Sequence, residues 1–226
     1  MTPLGFFAES STPEERSAVE ARMREALDRG APCFLVNMEY QLITGYDETG
    51  FLTAQPWPQL DFPPAHLTFG TWSELTGGIH MDFNIVDAAP PADRAAAVAA
   101  SLRYAADLWR QPERHSGPPY GAGARAYDNW EAAVRAGHGG SHGNWWTATV
   151  WSECRTMAGQ YLAEVAPILP LDAEALAEEY AAIGELLQRA ADKELPAEPK
   201  LTLLTEARGR EAACIDRIEA LLPRLR

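Results

Sequence analysis

The spacing of apolar residues changes once along the chain, near residue 91, and the change divides it. Before that point one amphipathic segment comes first. Thr12-Pro13-Glu14-Glu15 carries a capping threonine, a proline at the first helical position and a glutamate placed to close a capping box. Val19, Met23 and Leu27 then share one helical face, and Gly30 ends the segment. Three short apolar runs follow at Cys33 to Val36, Gln41 to Thr44 and Phe51 to Thr53, punctuated by Met38-Glu39 and by Asp47-Glu48-Thr49-Gly50. β-Branched and aromatic residues between such turns predict a tight antiparallel meander. A stretch with four prolines over positions 56–64 reads as a loop. His66 to Gly70 and Ile79 to Asp87 are further strand candidates, with a short turn of helix around Trp72 to Leu75.

From Pro91 the period becomes helical. Val98, Leu102, Ala105 and Trp109 form one stripe, and Tyr127, Trp130 and Val134 form a second. A long helix from about Trp145 to Pro167 is predicted to bury Trp151, Cys154, Ala158, Tyr161 and Val165. Leu176, Tyr180, Ile183 and Leu187 give a fourth stripe, and Cys214, Ile218 and Leu221 the last. Strands first and helices afterwards predict an α+β fold rather than an alternating one. The expectation is a sheet of about five antiparallel strands with one leading helix in residues 1–90. A helical bundle over 91–226 is expected to pack on it as part of one unit.

Charge narrows the partners. Acidic residues outnumber basic ones by 32 to 19, for a net charge of −13, which repels phosphate backbones and makes nucleic acid an unsuitable partner. No run of about 18 apolar residues suggests a membrane span. The N-terminus lacks the basic and apolar regions of a signal peptide, so a cytoplasmic location is expected. Three cysteines do not make a disulfide framework. Cys33 falls in an apolar strand run, and Cys154 and Cys214 fall on helix stripes, so each reads as packing.

Several groupings carry candidate chemistry. Glu39 and Asp47 flank one strand, with Asp61 and Asp82 available across a sheet, and paired carboxylates perform acid–base work when their pKa values are driven apart. The competing reading makes Glu39 a turn residue and Asp47 the cap of the hairpin loop. His138 and His142 sit in a glycine loop, with His115 in another, but a metal site needs three or four ligands, so neither a metal nor any other cofactor is expected. Gly121-Ala122-Gly123 precedes a helix yet follows no strand, so it reads as a sharp helix-to-helix turn rather than a phosphate loop. Tyr120, Tyr127, Trp130, Asn144, Trp145 and Trp146 crowd around the two glycine loops. Aromatic walls with a few polar groups build small-molecule pockets, and the same residues also build helix–helix cores and dimer interfaces.

The segment Glu39-Tyr40-Gln41-Leu42-Ile43-Thr44-Gly45-Tyr46-Asp47, followed by Phe51 to Pro56, resembles the second half of a papain-like cysteine peptidase domain. The resemblance is to the bacteriocin-processing peptidases and to proteins similar to the N-terminal domain of the butirosin-pathway acyltransferase. It covers the first 90 residues at the level of motifs and extends loosely to Gly121–Trp130 and Ser152–Ala163. It implies a catalytic His at the position of Glu39, an orienting Asp or Asn at that of Gln55, and a nucleophilic Cys upstream of the meander, where this sequence has none. Thiol catalysis needs a thiolate and a base within reach of each other, and none of the three positions supplies the required group. The resemblance therefore implies a non-catalytic papain-like protein that binds a small molecule, peptide or partner chain. Tyr40, Asp47, Tyr120, Tyr127, Trp130, Asn144 and Trp145 are its candidate ligand residues. The alternative is an acyltransferase or amide hydrolase of specialised metabolism with a replaced mechanism. An uncovered sheet face is expected where the nucleophile-bearing helix of such a domain packs, and it predicts a homodimer or larger oligomer.

Overall fold

A computed structural model describes residues 1–7, 11–37, 39–54, 65–70, 81–117, 120–169 and 173–225. The expected helical turn at Trp72 to Leu75, the proline-rich loop, Gln55 and Asp61 lie outside them. The fold is α+β, with one antiparallel sheet followed by helices, and the chain divides into two compact units, 1–91 and 92–226.

The first unit contains β1 (Thr2–Phe7), α1 (Pro13–Asp28), β2 (Cys33–Asn37), β3 (Glu39–Tyr46), β4 (Gly50–Ala54), β5 (His66–Thr68) and β6 (Met81–Ile85). The strands lie in the order β1-β6-β2-β3-β4-β5, each antiparallel to its neighbours. Among the described residues six strands stand where about five were expected. The additional one, β1, falls in a stretch read as preceding a helix. Pro3 and Gly5 hide it: they spoil the alternation, and the ladder with β6 shifts register between them. An edge strand tolerates both residues because its outer side needs no hydrogen-bond partner.

Helix α1 begins as its sequence dictates. Glu15 N donates to Thr12 Oγ1 at 3.2 Å and Thr12 N donates to Glu15 Oε2 at 2.8 Å, so the capping box is closed. Its buried residues Val19, Met23 and Ala26 belong to one core with Cys33, Leu35, Ile43, Phe51 and Phe83 of the sheet. The β3–β4 hairpin is closed by Asp47, whose Oδ1 accepts from Thr49 N and Thr49 Oγ1 (both 2.7 Å) and from Gly50 N (2.9 Å). These bonds from Thr49, and a contact with His66, hold the Asp47 carboxyl well below the usual carboxylate range.

The second unit holds α2 (Arg94–Arg110), α3 (Gly123–Arg135), α4 (His142–Val165), α5 (Ala173–Ala190) and α6 (Ala197–Leu221). Gly123 turns the chain from α2 into α3 with φ +52°, and a Cβ there would stand 2.6 Å from Trp109 Cα. Helices α4 and α5 form the most extensive helix pair of the unit. The buried face of α4 is Asn144, Ala148, Ser152, Gly159, Leu162 and Val165, not the predicted Trp151–Cys154–Ala158–Tyr161 stripe, and Cys154 and Tyr161 are exposed. The physical reason is a close helix crossing. A Cβ on Gly159 would stand 2.8 Å from Ala177 O, one on Gly184 would stand 2.6 Å from Thr156 Oγ1, and Ser152 Oγ donates to Gly184 O at 2.9 Å. Only small residues permit that approach. The larger face of α4 is left to do something else.

Candidate groove in the helical unit

The larger face of α4 lines a groove. Gly143, Thr147, Trp151, Cys154, Ala158 and Tyr161 recur every three or four residues, so they follow one another along a single side of the helix. Helices α2 and α3 with the Gly121 turn supply much of the remaining lining. Three hollows of about 450, 300 and 190 Å³ succeed each other. The first and second share Gly121 and Trp151, and the second and third share Ala105, Ala158 and Tyr180. At a rise of about 1.5 Å per residue, the stretch of α4 from Asn144 to Leu162 gives the groove a length of roughly 27 Å.

Hydrogen bonds tie its walls at either end. Trp130 Nε1 donates to Asn144 Oδ1 at 2.8 Å, and Asn144 Nδ2 donates to Ala190 O at 3.1 Å. At the other end the hydroxyls of Ser101 and Tyr161 meet at 2.8 Å, linking α2 to α4.

The floor of the second hollow is polar and nearly closed to water. Arg155 Nη2 lies 2.8 Å from Glu211 Oε1, their side chains being 19% and 7% exposed. The Tyr127 hydroxyl donates to Glu211 Oε2 at 2.8 Å. Both carboxylate oxygens are thus engaged. The guanidinium also lies over the Trp151 ring, 4.8 Å from its centroid. Burial pulls the Arg155 pKa down, but Glu211 and Tyr127 outweigh it and the net displacement is upward. Burial, then the Glu211 charge, pushes the Tyr127 phenol far above its ordinary value, and Tyr180 is raised by the same two causes.

The residues singled out in the sequence distribute unevenly over this site. Tyr120, Trp130 and Asn144 line the first hollow. Tyr127 is fully buried and does not reach the groove surface; it is a support for Glu211. Trp145 stands off the groove, with the His142 ring at 5.1 Å and Lys193 Nζ at 5.4 Å from its own. Tyr40 and Asp47 belong to the sheet unit, Tyr40 exposed on β3 and Asp47 in the hairpin turn. Glu39 begins β3 and Asp47 follows its end, about 25 Å away at strand rise, so the two carboxylates form no acid–base pair. Asp82 pairs with Val36, at the Glu39 end of the sheet.

Arg155, Glu211 and Tyr180 were not among the sequence candidates. A signal for one of them existed: Glu211 stands three and four residues before Cys214 and Ile215, a charge in line with apolar positions. Such a charge needs a buried partner. Among the described residues no group of three or more His, Cys, Asp or Glu is arranged to hold a metal ion. Cys33 and Cys214 are buried, whereas Cys154 lines the second hollow, which no imidazole among the described residues lines. No described helix is long and apolar enough to cross a membrane. No protein-family model matches the chain, and no curated protein matches it in sequence.

Proposed function

We propose that the protein is a non-catalytic binder built on a papain-like half-domain, and that its helical unit holds an elongated, mostly apolar small molecule. The observation that carries this reading is the groove itself: apolar walls from α2, α3 and α4 over one internally neutralised Arg155–Glu211 pair. Among the described residues no imidazole lines the hollow with Cys154, which favours binding over thiol chemistry.

Cys154 makes the reading measurable. It is the exposed thiol of the three, so iodoacetamide is expected to alkylate it first in the folded protein. Screening small apolar compounds for protection of Cys154, with thermal shift as a second readout, is expected to find ligands that slow alkylation and raise Tm together. A broad set that does neither overturns the reading. Turnover of thioesters or amides, lost in Cys154→Ser, would replace it with the acyl-transfer or hydrolase alternative.

A second surface bears on assembly. Val36 pairs with Tyr40 and Phe34 with Leu42, so these four project from one side of the sheet, as does Leu52 two residues before Ala54, the partner of Leu42. Tyr40 is 72%, Leu42 51% and Leu52 41% exposed. An exposed apolar sheet face of this kind marks an interaction surface. We read it as the contact of a homodimer. Light scattering at micromolar concentration is expected to give twice the chain mass, and Leu42→Lys to halve it. A native monomer removes the idea.

A further inference from the structure

The second hollow has a selective chemistry, and its inventory of free hydrogen-bonding groups is short. Each Glu211 oxygen already has a partner, Arg155 at Oε1 and Tyr127 at Oε2. The Glu211 side chain is only 7% exposed, which leaves a ligand donor little access to its remaining lone pairs. The guanidinium charge is balanced by the same carboxylate, and the chain as a whole carries −13. Neither a cation nor an anion finds an uncompensated opposite charge. Arg155 Nε is a buried N–H without a partner, but it has no surface to offer a ligand. A neutral donor that remains is Tyr180. That residue is only 6% exposed, it lines the second and third hollows, and its hydroxyl has no hydrogen-bond partner among the described residues. The hydroxyl is not among the buried unpartnered atoms, so it keeps some surface on a residue that lines the groove. A buried phenol without a partner is an unmet donor, and an acceptor brought to it gains a bond that water in so confined a place supplies poorly. Around it stand the indoles of Trp109 from α2 and Trp151 from α4, whose rings lie 6.2 and 6.0 Å from that of Tyr127. Indole walls favour flat, polarizable partners.

We propose that the second hollow receives an uncharged, flat, largely apolar molecule that presents a carbonyl oxygen to the Tyr180 hydroxyl, as an aryl ketone does. This rests on the binding reading above and sharpens it to a ligand class. The Arg155–Glu211 pair acts as a neutral, fixed floor, Tyr180 as the directional contact for the carbonyl, and Trp109 and Trp151 as the walls that set planarity.

The test compares three probes of one shape: 9-fluorenone, fluorene, which lacks the carbonyl, and fluorene-9-carboxylate, which is an anion. Affinity is read on the full chain from protection of Cys154 against iodoacetamide, for the native protein and for Tyr180→Phe. The expected result is 9-fluorenone binding about fivefold tighter than fluorene, the gain of one hydrogen bond. The difference should vanish in Tyr180→Phe while fluorene affinity stays the same. The carboxylate should bind more weakly than the ketone. Because the hydroxyl makes no internal bond, Tyr180→Phe should keep the native Tm, which controls for folding. Equal affinity for 9-fluorenone and fluorene overturns the ketone assignment and leaves an apolar groove. Preference for the carboxylate overturns it in favour of an anion site at Arg155. Protection by members of the broad set but by none of these three also rejects the aryl-ketone class, whereas protection by no compound at all removes the binding reading with it.

Discussion

Glu211→Ala is expected to cost about 3–5 kcal/mol of stability, the largest single-site loss in the helical unit, because it leaves Arg155 charged, buried and unpaired. It also takes the acceptor from the Tyr127 hydroxyl. Chemical denaturation of the variant measures the loss. In Arg155→Met with Glu211→Gln the two changes should partly cancel, since replacing both partners removes the uncompensated charge. Additive losses from the two single changes would show that the pair is not coupled. The surrounding phenols add a pH signature. Tyr127 and Tyr180 have folded pKa values raised above the ordinary 10, so the folded state holds their protons more tightly than the unfolded chain does. Their contribution is complete below pH 10 and declines as pH rises beyond it. Burial likewise pushes the Cys214 thiol from 9.0 up to about 11, so its contribution declines between those values. Stability should therefore begin to fall near pH 9 and fall more steeply past 10. A stability curve flat to pH 11 contradicts the burial of these groups.

Gly159→Val is expected to cost about 3 kcal/mol, near the upper end of ordinary overpacking. A Cβ at Gly159 meets Ala177 O at 2.8 Å, and a backbone oxygen inside a helix cannot rotate away. Helices α4 and α5 must separate, loosening the Ser152–Gly184 hydrogen bond with them. For a chain of this size that corresponds to a fall in Tm of roughly 6–12 °C. The contrast is Gly209→Ala in α6, an exposed position with nothing within 4 Å of its Cβ site. There the helix propensity of alanine acts alone and should raise stability by about 0.5–1 kcal/mol. Differential scanning calorimetry of the two variants decides the matter, and equal shifts would deny the close crossing.

Local signals were read correctly where local physics decides the outcome. Thr12, Pro13 and Glu15 specify a helix start by themselves, and Asp47 with Thr49 and Gly50 specifies a hairpin turn. The α+β class followed from the change of period near Pro91. Helix α4 misled for a stated reason. Hydrophobicity ranks Trp151, Cys154 and Tyr161 above Ala148, Ser152 and Gly159, but the distance between two helix axes decides which side is buried. That distance depends on Gly184 of another helix, which no window around residue 155 contains. The groove was half legible for the same cause. The aromatic crowding near Tyr120, Trp130 and Asn144 marked the first hollow, while Arg155, Tyr180 and Glu211 come from three helices and meet only in space.

Strand β1 imposes an order in time on the first unit. Thr2 pairs with Ile85 and Phe7 with Met81, so residues of this unit that leave the ribosome early take their places beside some of its last. The meander of β2, β3 and β4 closes through neighbouring turns and needs no such wait. Until β6 emerges, the first seven residues have no strand to join, and the loop that joins them is nearly the whole unit. The sheet thus grows outward from its middle during synthesis. A chain stalled before residue 81 would carry an unpaired β2 edge and a free apolar N-terminal segment, the kind of species on which chaperones act.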